Sequence, residues 1–107
     1  MITFVGAGPG AEDLITVRGL KLLQTADIIV YAGSLVNPEL LNNKKEKCIV
    51  YNSAKMTLEE VMDVMVNGDH EGKEIVRLHT GDPCLYGAIK EQMDWLEREQ
   101  IKYEICP

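Results

Sequence analysis

Five short runs of β-branched and apolar residues, separated by helical spacings, constrain this 107-residue chain more than any other feature. Ile2 to Val5, Asp27 to Tyr31, Cys48 to Tyr51, Glu74 to Leu78 and Lys102 to Ile105 read as strands. Ile28-Ile29-Val30 is apolar without alternation. That pattern suits a strand covered on both faces, and such strands belong to parallel sheets. Thr16 can cap a helix from Val17 to Gln24, with Val17, Leu20 and Leu23 facing inward. Gly19 inside it costs about 1 kcal/mol relative to alanine, and would let the helix lie close on a sheet. Pro38 suits the first position of a short helical turn. Thr57 with Glu60 makes a capping box for Leu58 to Val66, with Leu58, Val61, Met62 and Met65 as its apolar stripe. Asn67-Gly68 is the expected end of that helix. A last helix is expected from Tyr86 to Glu99, with Ile89, Met93 and Leu96 inward. The alternation predicts an α/β fold: a mainly parallel five-stranded sheet flanked by helices and joined by right-handed crossovers. One domain, residues 1–107, accounts for the length.

Composition removes several functions. The formal charge of −6 repels nucleic acid, which is bound by clustered Lys and Arg. Lys44, Lys45 and Lys47 form the only basic cluster, and Glu46 interrupts it, so a solvated turn is expected there. No apolar run approaches the roughly 20 residues of a membrane-spanning helix. The chain enters Ile2-Thr3-Phe4-Val5 at once, with no basic leader, and a cytoplasmic location is the expectation. Three cysteines, Cys48, Cys84 and Cys106, fit neither a disulfide framework nor a zinc site. Cys48 and Cys106 lie in apolar runs and read as small core residues.

Two loops can carry chemistry. Gly6-Ala7-Gly8-Pro9-Gly10-Ala11 follows the first strand and satisfies the spacing of a dinucleotide fingerprint. Glu12 and Asp13 follow at once and would repel a pyrophosphate. The second strand ends on Tyr31-Ala32-Gly33-Ser34, without the acid that holds a cofactor ribose. A dinucleotide site, a tight turn and a loop beside some other ligand all remain open for it. The second loop, from His79 to Gly87, follows the fourth strand, where ligands of open α/β sheets bind. Gly81 permits close backbone approach, Asp82 adds an acceptor for a cationic or hydroxyl-bearing ligand, and Pro83 stiffens the turn. Asp82 as a simple helix cap is the alternative. His79 has no partner of the triad kind in the sequence and reads as structural.

Gly6-Ala7-Gly8-Pro9-Gly10, then Asp13-Leu14-Ile15-Thr16, then Gly81-Asp82-Pro83 with Tyr86-Gly87, resemble the tetrapyrrole methylases over the whole chain. The stretch Tyr31-Ala32-Gly33-Ser34-Leu35-Val36 is similar to their precorrin-4 and cobalt-precorrin-4 C11-methyltransferase branch. The resemblance implies a two-domain enzyme of cobalamin biosynthesis. It holds S-adenosylmethionine (SAM) in the cleft between domains and releases S-adenosylhomocysteine. These 107 residues would be its N-terminal domain, inactive without the C-terminal one. The resemblance further implies that the first and fourth strands are neighbours. By motif position, Pro9, Thr80, Gly81, Asp82 and Leu85 would line the SAM pocket, and Gly8, Gly10, Tyr31 and Ser34 would face the tetrapyrrole. The family pattern often has aspartate where this chain has Ala11, and serine or alanine at Cys84. The expected partners are the tetrapyrrole, the C-terminal domain and a second copy in a homodimer, with no metal and no catalytic side chain. The alternatives are another methylase of the family, for uroporphyrinogen-III or another precorrin, and an oxidoreductase dinucleotide domain. A tetrapyrrole bears many carboxylates, for which Arg18, Lys21 and Arg77 are the available cations.

Overall fold

The computed structural model describes residues 1–7, 15–32, 38–80 and 86–106. Five strands form one sheet: β1 (Ile2–Ala7), β2 (Ile28–Tyr31), β3 (Ile49–Asn52), β4 (Ile75–Thr80) and β5 (Tyr103–Cys106). Their spatial order is β3-β2-β4-β1-β5, and every pairing is parallel. The helices are α1 (Val17–Thr25), α2 (Leu58–His70) and α3 (Tyr86–Arg98), with short 3-10 turns at Pro38–Asn43 and Ser53–Lys55. The five strands and three helices expected from periodicity are all present, with ends shifted by a few residues.

The period of two in the strands divides the core into two layers. Val5, Ile29, Val76 and Leu78 point to one face, where Leu23 and Ala26 of the α1 segment and Leu40 of the first 3-10 turn cover them. Ile2, Phe4, Ile28, Val30 and Ile75 point to the other, under Val61, Met62 and Met65 of α2 and Ile89 and Leu96 of α3. This is why the inner strands β1, β2 and β4 are mostly apolar on both faces, whereas the edge strands β3 and β5 leave Ile49 and Ile105 exposed. Cys48 and Cys106 are buried within the first layer, and neither forms a disulfide.

Three details differ from the sequence reading. Val17 is 72% exposed, and Leu58 is on the surface at 36%. Both are the first residue of their helix, where side chains lean toward the N-terminus and past the edge of the sheet. Asn67-Gly68 does not end α2, which continues to His70 and turns at Gly72, with φ +78°. Gly68 is instead a contact glycine. A Cβ there would come within 2.9 Å of Ile28 Cδ1 and 3.2 Å of Ile75. Gly19 acts in the same way on α1, where a Cβ would meet Val5 at 3.0 Å. The capping box is present, with Glu60 N donating to Thr57 Oγ1 at 3.1 Å and Thr57 N to Glu60 Oε1 at 2.9 Å.

Asp27 ties together the end of the sheet where β2, β3 and β4 begin. Its carboxylate accepts from Lys45 Nζ at 2.6 Å and from the Glu74 backbone N–H at 2.8 Å, and its carbonyl accepts from Ile49 N. The Lys45 hydrogen bond, then the Glu74 N–H, hold the Asp27 carboxyl below its ordinary pKa of 3.8. A lowered folded-state pKa gives stability that is present above the ordinary value and is lost as pH falls through the folded one. The stability gap between the parent and Asp27→Asn, measured by urea unfolding, is expected to be full at about pH 5 and to shrink toward about pH 3. A gap unchanged over that range would show that the carboxylate charge contributes nothing.

Candidate functional site

In a parallel sheet, ligands collect beyond the carboxyl ends of the strands, at the point where successive connections leave in opposite directions. Strand order alone places that point here. The connection after β1 leads through α1 to β2 on one side, and the connection after β4 leads through α3 to β5 on the other. β1 and β4 lie side by side, and their pairing runs to Ala7 opposite Thr80. The glycine loop and the aspartate–proline loop therefore leave the sheet from adjacent, paired residues. The adjacency implied by the resemblance is present. Thr80 closes β4 at this edge. Gly8, Pro9, Gly10, Ser34, Gly81, Asp82 and Leu85 lie outside the described residues, as does Cys84.

On the α2/α3 face of the same edge lies a cavity of about 330 Å³. Arg77 and His79 of β4, Gln92 and Glu91 of α3, and Ser53 after β3 supply its polar wall. Met56, Leu58, Val61 and Ile89 supply the apolar wall. Arg77 is only 4% exposed. Its Nε donates to Gln92 Oε1 at 3.0 Å, its Nη1 to the Val30 and Leu78 carbonyls at 3.3 Å each, and its Nη2 to Ser53 Oγ at 3.2 Å. Ser53 Oγ in turn donates to the Tyr31 carbonyl at 2.9 Å. One guanidinium thus joins the ends of β2, β3 and β4 to α3. Burial lowers the Arg77 pKa to about 10, which leaves it charged at neutral pH.

Tyr31 is the last residue of β2, and its side chain packs with the α1 layer, on the face opposite Val30. Arg18 pairs with Glu104 at 3.3 Å on the exposed surface, away from this cavity. Ser53 and Gln92 were not singled out from sequence. Gln92 had a legible signal, since it lies three residues after Ile89 and four before Leu96, on the inward stripe of α3. Ser53 had none, because its place depends on how β3 abuts β2.

The family model for tetrapyrrole (corrin/porphyrin) methylases matches residues 1–107. The chain belongs to that family. It is 56% identical over 106 residues to the cobalt-precorrin-4 C(11)-methyltransferase of Methanocaldococcus jannaschii, covering 99% of this chain and 41% of that protein. The X-ray structure of a cobalt precorrin-4 methyltransferase superposes with a TM-score of 0.90 at 52% identity, over 99% of this chain and 44% of that one. A uroporphyrin-III C-methyltransferase of Thermus thermophilus, solved with S-adenosylhomocysteine, gives 0.78 at 26% identity, over 99% and 43%. The chain thus spans less than half the length of these tetrapyrrole methylases. Membership decides against the oxidoreductase alternative for the glycine loop. No helix among the described residues is long and apolar enough to cross a membrane.

Proposed function

We propose that these residues are the N-terminal domain of a cytoplasmic, SAM-dependent enzyme of cobalamin biosynthesis that methylates precorrin-4 or cobalt-precorrin-4 at C11. The observation that carries the reading is the pairing of β1 with β4 out to Ala7 and Thr80, which starts both signature loops at one crevice. The similarity to cobalt-precorrin-4 C11-methyltransferases supports the substrate and the position. A C-terminal domain, supplied by the remaining length that the relatives have, closes the cleft.

The site suits the chemistry. Bound SAM supplies an electrophilic methyl group on a sulfonium. An electron-rich ring carbon is itself the nucleophile, so the protein's task is to align the two partners in line and keep water out. Thr80, Gly81, Asp82 and Leu85, with Pro9 at the edge, are assigned to the SAM side. Gly8, Gly10, Tyr31 and Ser34 are assigned to the tetrapyrrole side. Gly81 allows the loop backbone to approach the cofactor, and Asp82 offers an anionic acceptor to its donors. No side chain has to act as a covalent catalyst.

The test uses a full-length protein carrying these residues, supplied with SAM and either tetrapyrrole. The product is examined by mass and NMR. A single new methyl at C11 is the expected result. Transfer to another ring position reassigns the enzyme within the family, and no transfer by a folded protein that binds SAM refutes the substrate. Light scattering on the same preparation is expected to show a homodimer.

A further inference from the structure

Among the described residues, Arg77 is a buried cation without a counter-charge. Its four hydrogen bonds go to an amide oxygen, two carbonyls and a hydroxyl, all neutral. Among the described residues it makes no ion pair. A guanidinium carries five N–H donors, so one of those on Nη2 is unused, beside Ser53 at the cavity wall. Gln92, also 4% exposed, is its neighbour on that wall. Arg77 can only donate, so Gln92 must turn Oε1 toward it, and this leaves the Nε2 amide donors with no acceptor among the described residues. The wall therefore presents unused donors, one of them on a full positive charge, and both side chains are taken out of water. A charge held this way is costly unless an anion joins it. The Glu91 carboxylate lies on the exposed surface at the rim of the cavity and does not pair with Arg77.

We propose that the cavity over Arg77 and Gln92 is a carboxylate subsite, which takes one acidic side arm of the tetrapyrrole. The proposal rests on the methyltransferase reading and adds to it the residues that anchor the substrate. The Arg77 Nη2 and Gln92 Nε2 groups donate to the carboxylate oxygens, while Met56, Val61 and Ile89 cover the methylenes of the arm. A volume of about 330 Å³ accommodates an arm and its waters, and leaves the macrocycle outside at the sheet edge. Arg18 offers no such subsite, since it is exposed and already paired with Glu104.

The deciding variant is Gln92→Glu, made in the full-length protein. It keeps the shape of the side chain and places a fixed carboxylate against Arg77 Nε. The expected result is an unchanged or raised Tm, because the buried cation gains its counter-charge. Affinity for the polycarboxylate uroporphyrin, followed by fluorescence quenching, is expected to fall roughly ten- to hundredfold. Calorimetric binding of S-adenosylhomocysteine is expected to be retained. Arg77→Lys keeps the charge but not the fork, and should weaken uroporphyrin while also narrowing the preference for it over its fully methyl-esterified form. A folded Gln92→Glu protein with parental uroporphyrin affinity overturns the proposal. So does a parent that does not distinguish uroporphyrin from its ester, or does not bind it. An Arg77 paired with Glu91 in solution would show as tighter uroporphyrin binding by Glu91→Gln without loss on Gln92→Glu, and would also overturn it. Failure of the parent to bind S-adenosylhomocysteine counts against the methyltransferase reading instead.

Discussion

Phe4→Ala is expected to destabilise the domain by about 3–5 kcal/mol, measured by urea unfolding at neutral pH. Phe4 is fully buried on β1, an interior strand flanked by β4 and β5. Its ring meets Tyr103 edge to face, with centroids 5.5 Å apart and planes at 77°. The same layer holds Met62, Met65 and Leu96, which reach it from two helices. Truncation thus removes the transfer energy of a large side chain and leaves a cavity that β1, pinned on both edges, cannot close. Domains of this size have total stabilities of about 5–15 kcal/mol, so the loss is a large fraction of the whole. Phe4→Leu keeps most of the volume and should cost less than about 1.5 kcal/mol. A loss below about 1 kcal/mol for the alanine variant would mean that the two helices collapse onto the site, contrary to the close packing described.

Asp82→Ala, in the full-length protein, is expected to weaken SAM roughly ten- to hundredfold by calorimetry. Asp82 follows the last residue of β4 by two positions in the sequence, and β4 ends there beside β1. On the proposed assignment its carboxylate accepts hydrogen bonds from the cationic ligand, and such charge-assisted bonds are the strong ones. The rival role is a cap on α3. A cap would lower stability by about 1 kcal/mol and leave SAM affinity at its parental value, so one variant and two measurements separate the roles. Asp82→Asn keeps an acceptor that can still cap, and should recover stability before it recovers affinity.

The period-two and helical patterns already contained the five strands, the three helices, the capping box at Thr57 and the buried thiols at Cys48 and Cys106. These are local properties, since a strand covered on both faces must be apolar throughout wherever it lies in the sheet. The motif loops carried the family for the same reason, because glycine, aspartate and proline act on the backbone where they stand. Strand order is of another kind. Nothing in the residues 2–5 and 74–78 says that they are neighbours, and the chain between them is long. Their pairing, to Ala7 opposite Thr80, comes from assembling the whole sheet. Assembly also turned Asn67-Gly68 from an expected helix end into a close contact with Ile28 and Ile75. It exposed Val17 and Leu58, whose periodicity matched the core but whose first-turn position runs past it. Arg77 is the sharpest case. In the sequence it is one basic residue among eleven Lys and Arg. Only the fold surrounds it with Gln92, Ser53 and the carbonyls of Val30 and Leu78, with no counter-charge among the described residues. Periodicity can say that a side chain faces inward, but which polar groups it meets there depends on elements far apart in the chain.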